Sequence, residues 1–184
     1  MDNLLRNLNI YLIGMMGSGK TTIGKFLAHK LEYRFLDTDS IIEMVAKKKI
    51  SQIFEQEGEK NFRDLESKVL GEVSSYLRTV ISTGGGIILK PENWAHLRDG
   101  MVIWLDAPVD VLMERLKNDR TRPLLQDTNL EQKLTTLLEE RKKLYQQADI
   151  TIAIAQNQTT EDIVDEIIKT IPSKIKPEFN PELN

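Results

Sequence analysis

Residues 11–31 read YLIGMMGSGKTTIGKFLAHKL. The stretch opens apolar and β-rich, breaks into three glycines and a lysine, and then turns amphipathic. Gly14-Met15-Met16-Gly17-Ser18-Gly19-Lys20-Thr21 fits G-x-x-x-x-G-K-[ST] at every position. With a strand before it and a helix after it, such a loop offers a nest of backbone N–H groups at a helix N-terminus, which suits a polyphosphate. Gly17, Ser18, Gly19, Lys20, Thr21 and Thr22 are the expected nucleotide contacts. Lys20 can reach the β- and γ-phosphates, and the Thr21 hydroxyl can ligate Mg²⁺. The loop points to a nucleoside triphosphate and leaves open whether the phosphoryl group goes to water or to a second substrate.

Working outward, five short apolar runs are bounded by turn residues: NIYLIG, YRFLDTD, TVISTGGG, MVIWLDAP and DITIAI. Between them lie segments of helical spacing: KTTIGKFLAHKL, SIIEMVAKKK, EKNFRDLESKVLGEVSSYL, PENWAHL, PVDVLMERLKN and LEQKLTTLLEERKKLYQQA, with TTEDIVDEIIKTI after the last strand. Strands alternating with helices imply parallel pairing and a three-layer α/β/α sandwich on a five-stranded parallel sheet. Residues 1–171 form the expected domain. The tail 172–184, PSKIKPEFNPELN, carries three prolines and little apolar periodicity and is expected to be loosely ordered.

Composition narrows the function. The chain has 184 residues, 40% hydrophobic and 29% charged, as in ordinary soluble globular proteins. A net charge of −3 with no long run of one sign argues against nucleic acid as a partner. There is no cysteine, and the two histidines, His29 and His96, lie far apart, so a thiol nucleophile and a disulfide framework are excluded and a zinc site has little support. No stretch approaches the roughly 20 apolar residues of a membrane span, and the N-terminal residues lack a signal-peptide layout. A cytoplasmic location fits these features.

FLDTD ends the second run. Asp37 and Asp39 are two apart, so on an extended segment both face the same way, toward the carboxyl ends of the strands where ligands bind. One can hold Mg²⁺ or its water, and the other can take a hydroxyl proton from an acceptor. A helix N-cap, with Ser40 or Asp39 in that role, is the other reading. At the end of the third run Ser82 stands where an aspartate often holds the metal, which adds weight to Asp37. Gly84, Gly85 and Gly86 either open backbone to a substrate ring or form a flexible turn.

Taken in order, GMMGSGKTTIG, FLDTD, EKNFRDLE, STGGG, RPLL and ERKKLY resemble the shikimate kinase family, in the nucleoside-monophosphate-kinase-like branch of P-loop kinases. The resemblance covers residues 8 to 171. It implies a P-loop kinase fold with a mobile lid, about 115–129, and transfer of the ATP γ-phosphate to the 3-hydroxyl of shikimate on the route to chorismate and aromatic amino acids. Lys20, Asp39 and Arg122 become the expected catalytic groups. Arg63 and Arg141 become a carboxylate clamp, with Glu66 orienting Arg63; a guanidinium fork suits a carboxylate better than an ammonium does. From the residues alone, Arg63 and Glu66 are an i, i+3 helical pair and Arg141 is one charge in a mixed run. Gly84 to Gly86 would meet the shikimate ring, with Gly85 the expected hydrogen-bond donor. Arg122 would close over the phosphates, Arg115 stack on adenine, and Gln158 line the adenine loop. The implied metal is Mg²⁺, bound at Thr21 and Asp37; the implied substrates are ATP and shikimate, and the implied state is a monomer. A gluconate-type or nucleoside-monophosphate kinase shares the loop and lid but lacks the joint FRDLE, GGG and ERKKLY set. A nucleotide-binding regulator without catalysis is the rival from another class, against which the intact reactive set Lys20, Thr21, Asp37, Asp39, Arg63, Arg122 and Arg141 stands.

Overall fold

The computed structural model describes Leu5, residues 7–117 and residues 129–175. Arg120 and Arg122, most of the expected lid and the end of the tail lie outside these residues. Five strands form one parallel sheet: β1 (Ile10–Ile13), β2 (Arg34–Asp37), β3 (Thr79–Ser82), β4 (Met101–Asp106) and β5 (Ile150–Ala153), in the order β2-β3-β1-β4-β5. The central strands β1 and β3 are buried along their whole length, as strands covered on both faces must be. Edge strand β5 alternates buried and exposed residues. This is why the central runs read as unbroken apolar stretches.

The helices are α1 (Lys20–Leu31), α2 (Thr38–Ala46), α3 (Ile50–Ser74), α4 (Pro91–Leu97), α5 (Val109–Leu116), α6 (Leu130–Tyr145) and α7 (Thr160–Thr170). Right-handed crossovers put α1, which runs from β1 out to β2, on one face of the sheet, and the helices leading back toward β5 on the other. α7 packs on α1, α3 on α4, and α5 on α6. The result is the three-layer α/β/α sandwich expected.

Local chemistry fixes the ends of these elements. Asn129 caps α6 by accepting from the Gln132 N–H, and Thr159 and Asp162 form a reciprocal capping box at the start of α7. Buried Asn9 ties the start of β1 to the connection between α3 and β3: its amide donates to the Ser74 and Tyr76 carbonyls and its oxygen accepts from the Thr79 N–H.

Some helix boundaries differ from the sequence reading. α2 starts at Thr38, inside the FLDTD run, because the Asp37 carboxylate accepts from the Ser40 N–H and nucleates the first turn. α3 starts at Ile50, nine residues before the helical segment read from sequence, and breaks at Gly58, where φ 81 and ψ 166 are not helical. Residues Ile171–Lys174 form a 3₁₀ turn in which Ile171, the last residue of the expected domain, is buried while Pro172, Ser173 and Lys174 are exposed, and Ile175 packs against the core.

Candidate active site

The glycine loop leaves β1 and enters α1. Gly14 lies so close to β4 that a Cβ there would stand 2.7 Å from the Leu105 carbonyl. Gly19 is the α1 N-cap at φ 97, a left-handed conformation that favours glycine. Lys20 is buried, and its ammonium donates to the Gly14 and Met15 carbonyls, 2.9 Å from each. The Ser18 hydroxyl is fully buried with no hydrogen-bond partner among the described residues. A buried, unanswered hydroxyl inside a ring of loop amides is the kind of defect that a bound anion repairs. Gly17 and Thr22 flank this cradle, Gly17 in the loop and Thr22 exposed in the first turn of α1.

The first turn of α1 meets the ends of β2 and β3. The Thr21 hydroxyl donates to the Asp37 carboxylate at 2.7 Å and lies 3.4 Å from the Ser82 hydroxyl. The sheet register pairs Asp37 with Ser82. Thr21 thus spends its proton on Asp37 and keeps oxygen lone pairs for a cation. Among the described residues no three His, Cys, Asp or Glu side chains gather as a metal cage. One hydroxyl and one carboxylate beside a phosphate cradle instead fit Mg²⁺, which prefers few protein ligands and completes its shell with water and phosphate.

Asp39 is not on an extended segment with Asp37, as the two-residue spacing suggested. It sits in the first turn of α2. The helical turn sends it toward the glycine run after β3, where a Cβ on Gly84 would stand 2.8 Å from Asp39 Oδ1. The capping role belongs to Asp37, which thereby serves both α2 and Thr21.

The glycine run is the floor of a charged pocket. The Gly84 N–H donates to Thr38 Oγ1 at 3.0 Å. A Cβ on Gly84 would collide with the Glu66 carboxylate, and one on Gly86 with the Arg63 guanidinium. These positions are glycine so that the chain's own charged groups can reach the backbone. Gly85 is engaged through its carbonyl, which accepts from Arg141 at 3.3 Å and from the Tyr145 hydroxyl at 3.0 Å.

Two guanidinium groups therefore meet neighbouring glycines. Arg63 comes from α3 and is held by Glu66 at 2.9 Å and by Glu59 at 3.2 Å. Its guanidinium also stands 5.1 Å from the Phe62 ring centre and 5.9 Å from that of Phe54. Arg141 comes from α6 and is buried. Burial pushes the Glu66 carboxyl up, Arg63 pulls it down, the Asp39 charge pushes it up and Arg141 pulls it down. The pocket sets a half-buried Arg63 and a buried Arg141 around a glutamate whose burial works against its charge, an arrangement that can take a further anion.

On the other side of the loop, the exposed Arg115 donates to the Gly17 and Ser18 carbonyls at 3.3 and 3.1 Å. The Gln158 side chain closes the 155–158 turn by accepting from the Ala155 N–H. Gln156 reaches Glu114, the neighbour of Arg115. The two expected adenine contacts thus flank one region, Gln158 through a turn it braces itself.

Two groups escaped the sequence reading. Thr38 was read as strand and fixes Gly84 instead. Tyr145 lies four residues after Arg141, hence on the same helix face, and that spacing was the available signal.

Comparison with known proteins adds a family. The shikimate kinase family model matches residues 16–172. The chain is 54% identical over 180 residues to a shikimate kinase of Microcystis aeruginosa, covering 98% of this chain and 94% of that protein. A shikimate kinase from Acinetobacter baumannii, solved in complex with shikimate, superposes with a TM-score of 0.87 at 42% identity, over 94% of this chain and 97% of that one. A gluconokinase from Sinorhizobium meliloti, at TM-score 0.57 and 19% identity over 92% of this chain and 94% of that one, shares the fold alone.

Proposed function

The chain belongs to the shikimate kinase family, and we infer that it moves the γ-phosphate of ATP to the 3-hydroxyl of shikimate, giving shikimate 3-phosphate and ADP. The observation that carries the acceptor's identity is the pair of guanidinium groups, Arg63 and Arg141, set against Gly86 and Gly85 beside Asp39. An acceptor with a carboxylate at one end and a ring hydroxyl at the other fits such a pocket. Gluconate shares the carboxylate but has no ring to lie on the glycine floor, and a nucleoside monophosphate presents a phosphate in place of the carboxylate.

Each residue then has a task. Lys20 exchanges its two loop carbonyls for β- and γ-phosphate oxygens, and the loop amides with Ser18 cradle the phosphates. Thr21 and Asp37 hold Mg²⁺, directly or through water; the ion, when bound, neutralises phosphate charge. Arg63 and Arg141 grip the acceptor carboxylate, and Glu66 keeps Arg63 in place. Gly84 to Gly86 give the ring a flat backbone floor. Asp39 orients the 3-hydroxyl and takes its proton as the new bond to the γ-phosphorus forms and the bond from that phosphorus to the β–γ bridging oxygen breaks. The transition state is loose, so most of the acceleration comes from positioning.

Arg122, in the RPLL run, is assigned to a lid over 115–129 that excludes water, a small competing acceptor. Arg115 and Gln158 are assigned to the adenine side. We assign residues 1–171 to one catalytic domain working as a monomer in the cytoplasm. No helix among the described residues is long and apolar enough to cross a membrane.

The test offers Mg·ATP with shikimate, gluconate or a nucleoside monophosphate and follows ADP. Shikimate alone is expected to stimulate release. Stimulation by gluconate with none by shikimate would overturn the assignment.

A further inference from the structure

Tyr145 is fully buried at the end of α6, and its ring stacks on Trp104 of β4 with centres 5.5 Å apart and planes 14° from parallel. The hydroxyl donates to the Gly85 carbonyl at 3.0 Å, and Arg141, one helical turn earlier, donates to the same oxygen at 3.3 Å. Burial pushes the phenol up to about 12 even with the Arg141 charge beside it, so the group stays a donor throughout the working range of the enzyme.

The middle residue of a glycine run has no side chain to hold its peptide plane, and the bonds to its carbonyl must do so. In a trans peptide the C=O and the next N–H point in opposite directions. A Gly85 carbonyl fixed toward α6 therefore aims the Gly86 N–H away from α6. Arg141 shares that oxygen, so its guanidinium is set by the same anchor.

We propose that Tyr145 is a positioning residue for the acceptor: its hydroxyl fixes the Gly85 carbonyl, and through it the 85–86 peptide and the Arg141 guanidinium that grips the carboxylate. This rests on reading Arg141 and the glycine run as the acceptor site. Tyr145 touches neither substrate. Its effect belongs to acceptor binding, whereas a tyrosine that merely fills the core would affect stability alone.

The experiment compares steady-state kinetics of the wild type, Tyr145→Phe and Tyr11→Phe. Phenylalanine keeps the ring on Trp104 and removes one hydrogen bond. Tyr11→Phe is the control: that tyrosine is equally buried and donates to Ser74 Oγ at 2.9 Å, away from the glycine run. Tyr145→Phe is expected to raise the shikimate KM about three- to tenfold, the effect of one buried hydrogen bond, with kcat and the ATP KM little changed. Tyr11→Phe is expected to lower the melting temperature comparably and leave the shikimate KM alone. An unchanged shikimate KM in Tyr145→Phe, or an equal rise in both variants, overturns the proposal. Wild-type protein without shikimate-dependent ADP release overturns the acceptor assignment itself, and this role with it. If Tyr145→Phe does not fold, wild-type protein labelled with 3-fluorotyrosine is titrated with shikimate. The fluorine resonance of residue 145 is expected to move while those of Tyr11, Tyr33 and Tyr76 stay. A resonance at 145 that does not move overturns the role.

Discussion

At the residue scale the proposed acceptor pocket is built by missing side chains. Gly86 has φ −102, which any residue adopts, so Gly86→Ala strains no backbone and acts only through its methyl, which lands on Arg63. The shikimate KM should rise by about ten- to a hundredfold, in the range of one displaced charged contact, about 1.5–3 kcal/mol, with the ATP KM unchanged. Arg63→Ala should raise the same constant by about tenfold or more, and Arg63→Lys should not restore it, because an ammonium lacks the planar fork. A wild-type shikimate KM in either Arg63 variant contradicts the clamp. Glu66 adds a pH signature. Its carboxyl is raised above the ordinary value of 4.5, with burial the leading cause. A group raised on folding stabilises the fold below its unfolded value and loses that contribution as pH climbs through the raised one. Wild-type stability relative to Glu66→Gln should therefore fall from about pH 4.5 upward. Denaturant titrations whose difference stays flat from about pH 4 to about pH 8 would contradict this.

At the element scale the informative helix is α3, which carries Arg63 and Glu66 beyond its break at Gly58. The break lets Ile50–Glu57 turn so that Phe54 reaches Phe62, ring centres 4.6 Å apart, beside the Arg63 guanidinium. A Cβ at residue 58 would meet nothing within 4 Å, so Gly58→Ala isolates the backbone cost of φ 81. That cost is about 1–3 kcal/mol, and the melting temperature should drop by about 3–10 °C. An unchanged melting temperature would mean that the break is free to straighten. The same helix marks the limit of the sequence. FRDLE carries a clear helical period, but ISQIFEQEG combines a helical segment with a non-helical glycine, which blurs the spacing that identifies helices. FLDTD misled for a related reason. Asp37 is both the last strand residue and the helix cap, so the period changes inside the motif and Asp39 turns with the helix.

At the scale of the whole molecule, the five strands were readable because the central ones are buried on both faces and the glycine loop fixes where β1 ends. The glycine loop was legible for another reason: Gly14 to Thr21 are contiguous in the chain. The proposed acceptor side was less so. Arg63 of α3, Gly85 in the loop after β3, and Arg141 and Tyr145 of α6 come from three parts of the chain, and only the folded sheet with its helices packed on it brings them together. Ligand binding should register in the whole fold. Mg·ATP at about a hundred times its Kd should add about 2.7 kcal/mol of stability. Lys20→Ala should fold and lose most of that gain. A thermal shift equal to that of the wild type would remove Lys20 from the phosphate site.

The central claim is phosphoryl transfer from ATP to an acceptor held by the Arg63–Arg141 pair. The most direct measurement is ADP release from Mg·ATP with and without shikimate, with the product identified by mass. Release that depends on shikimate, with one phosphate added to it, is the result expected. ATP binding with no shikimate-dependent release and no phosphorylated shikimate would contradict the claim.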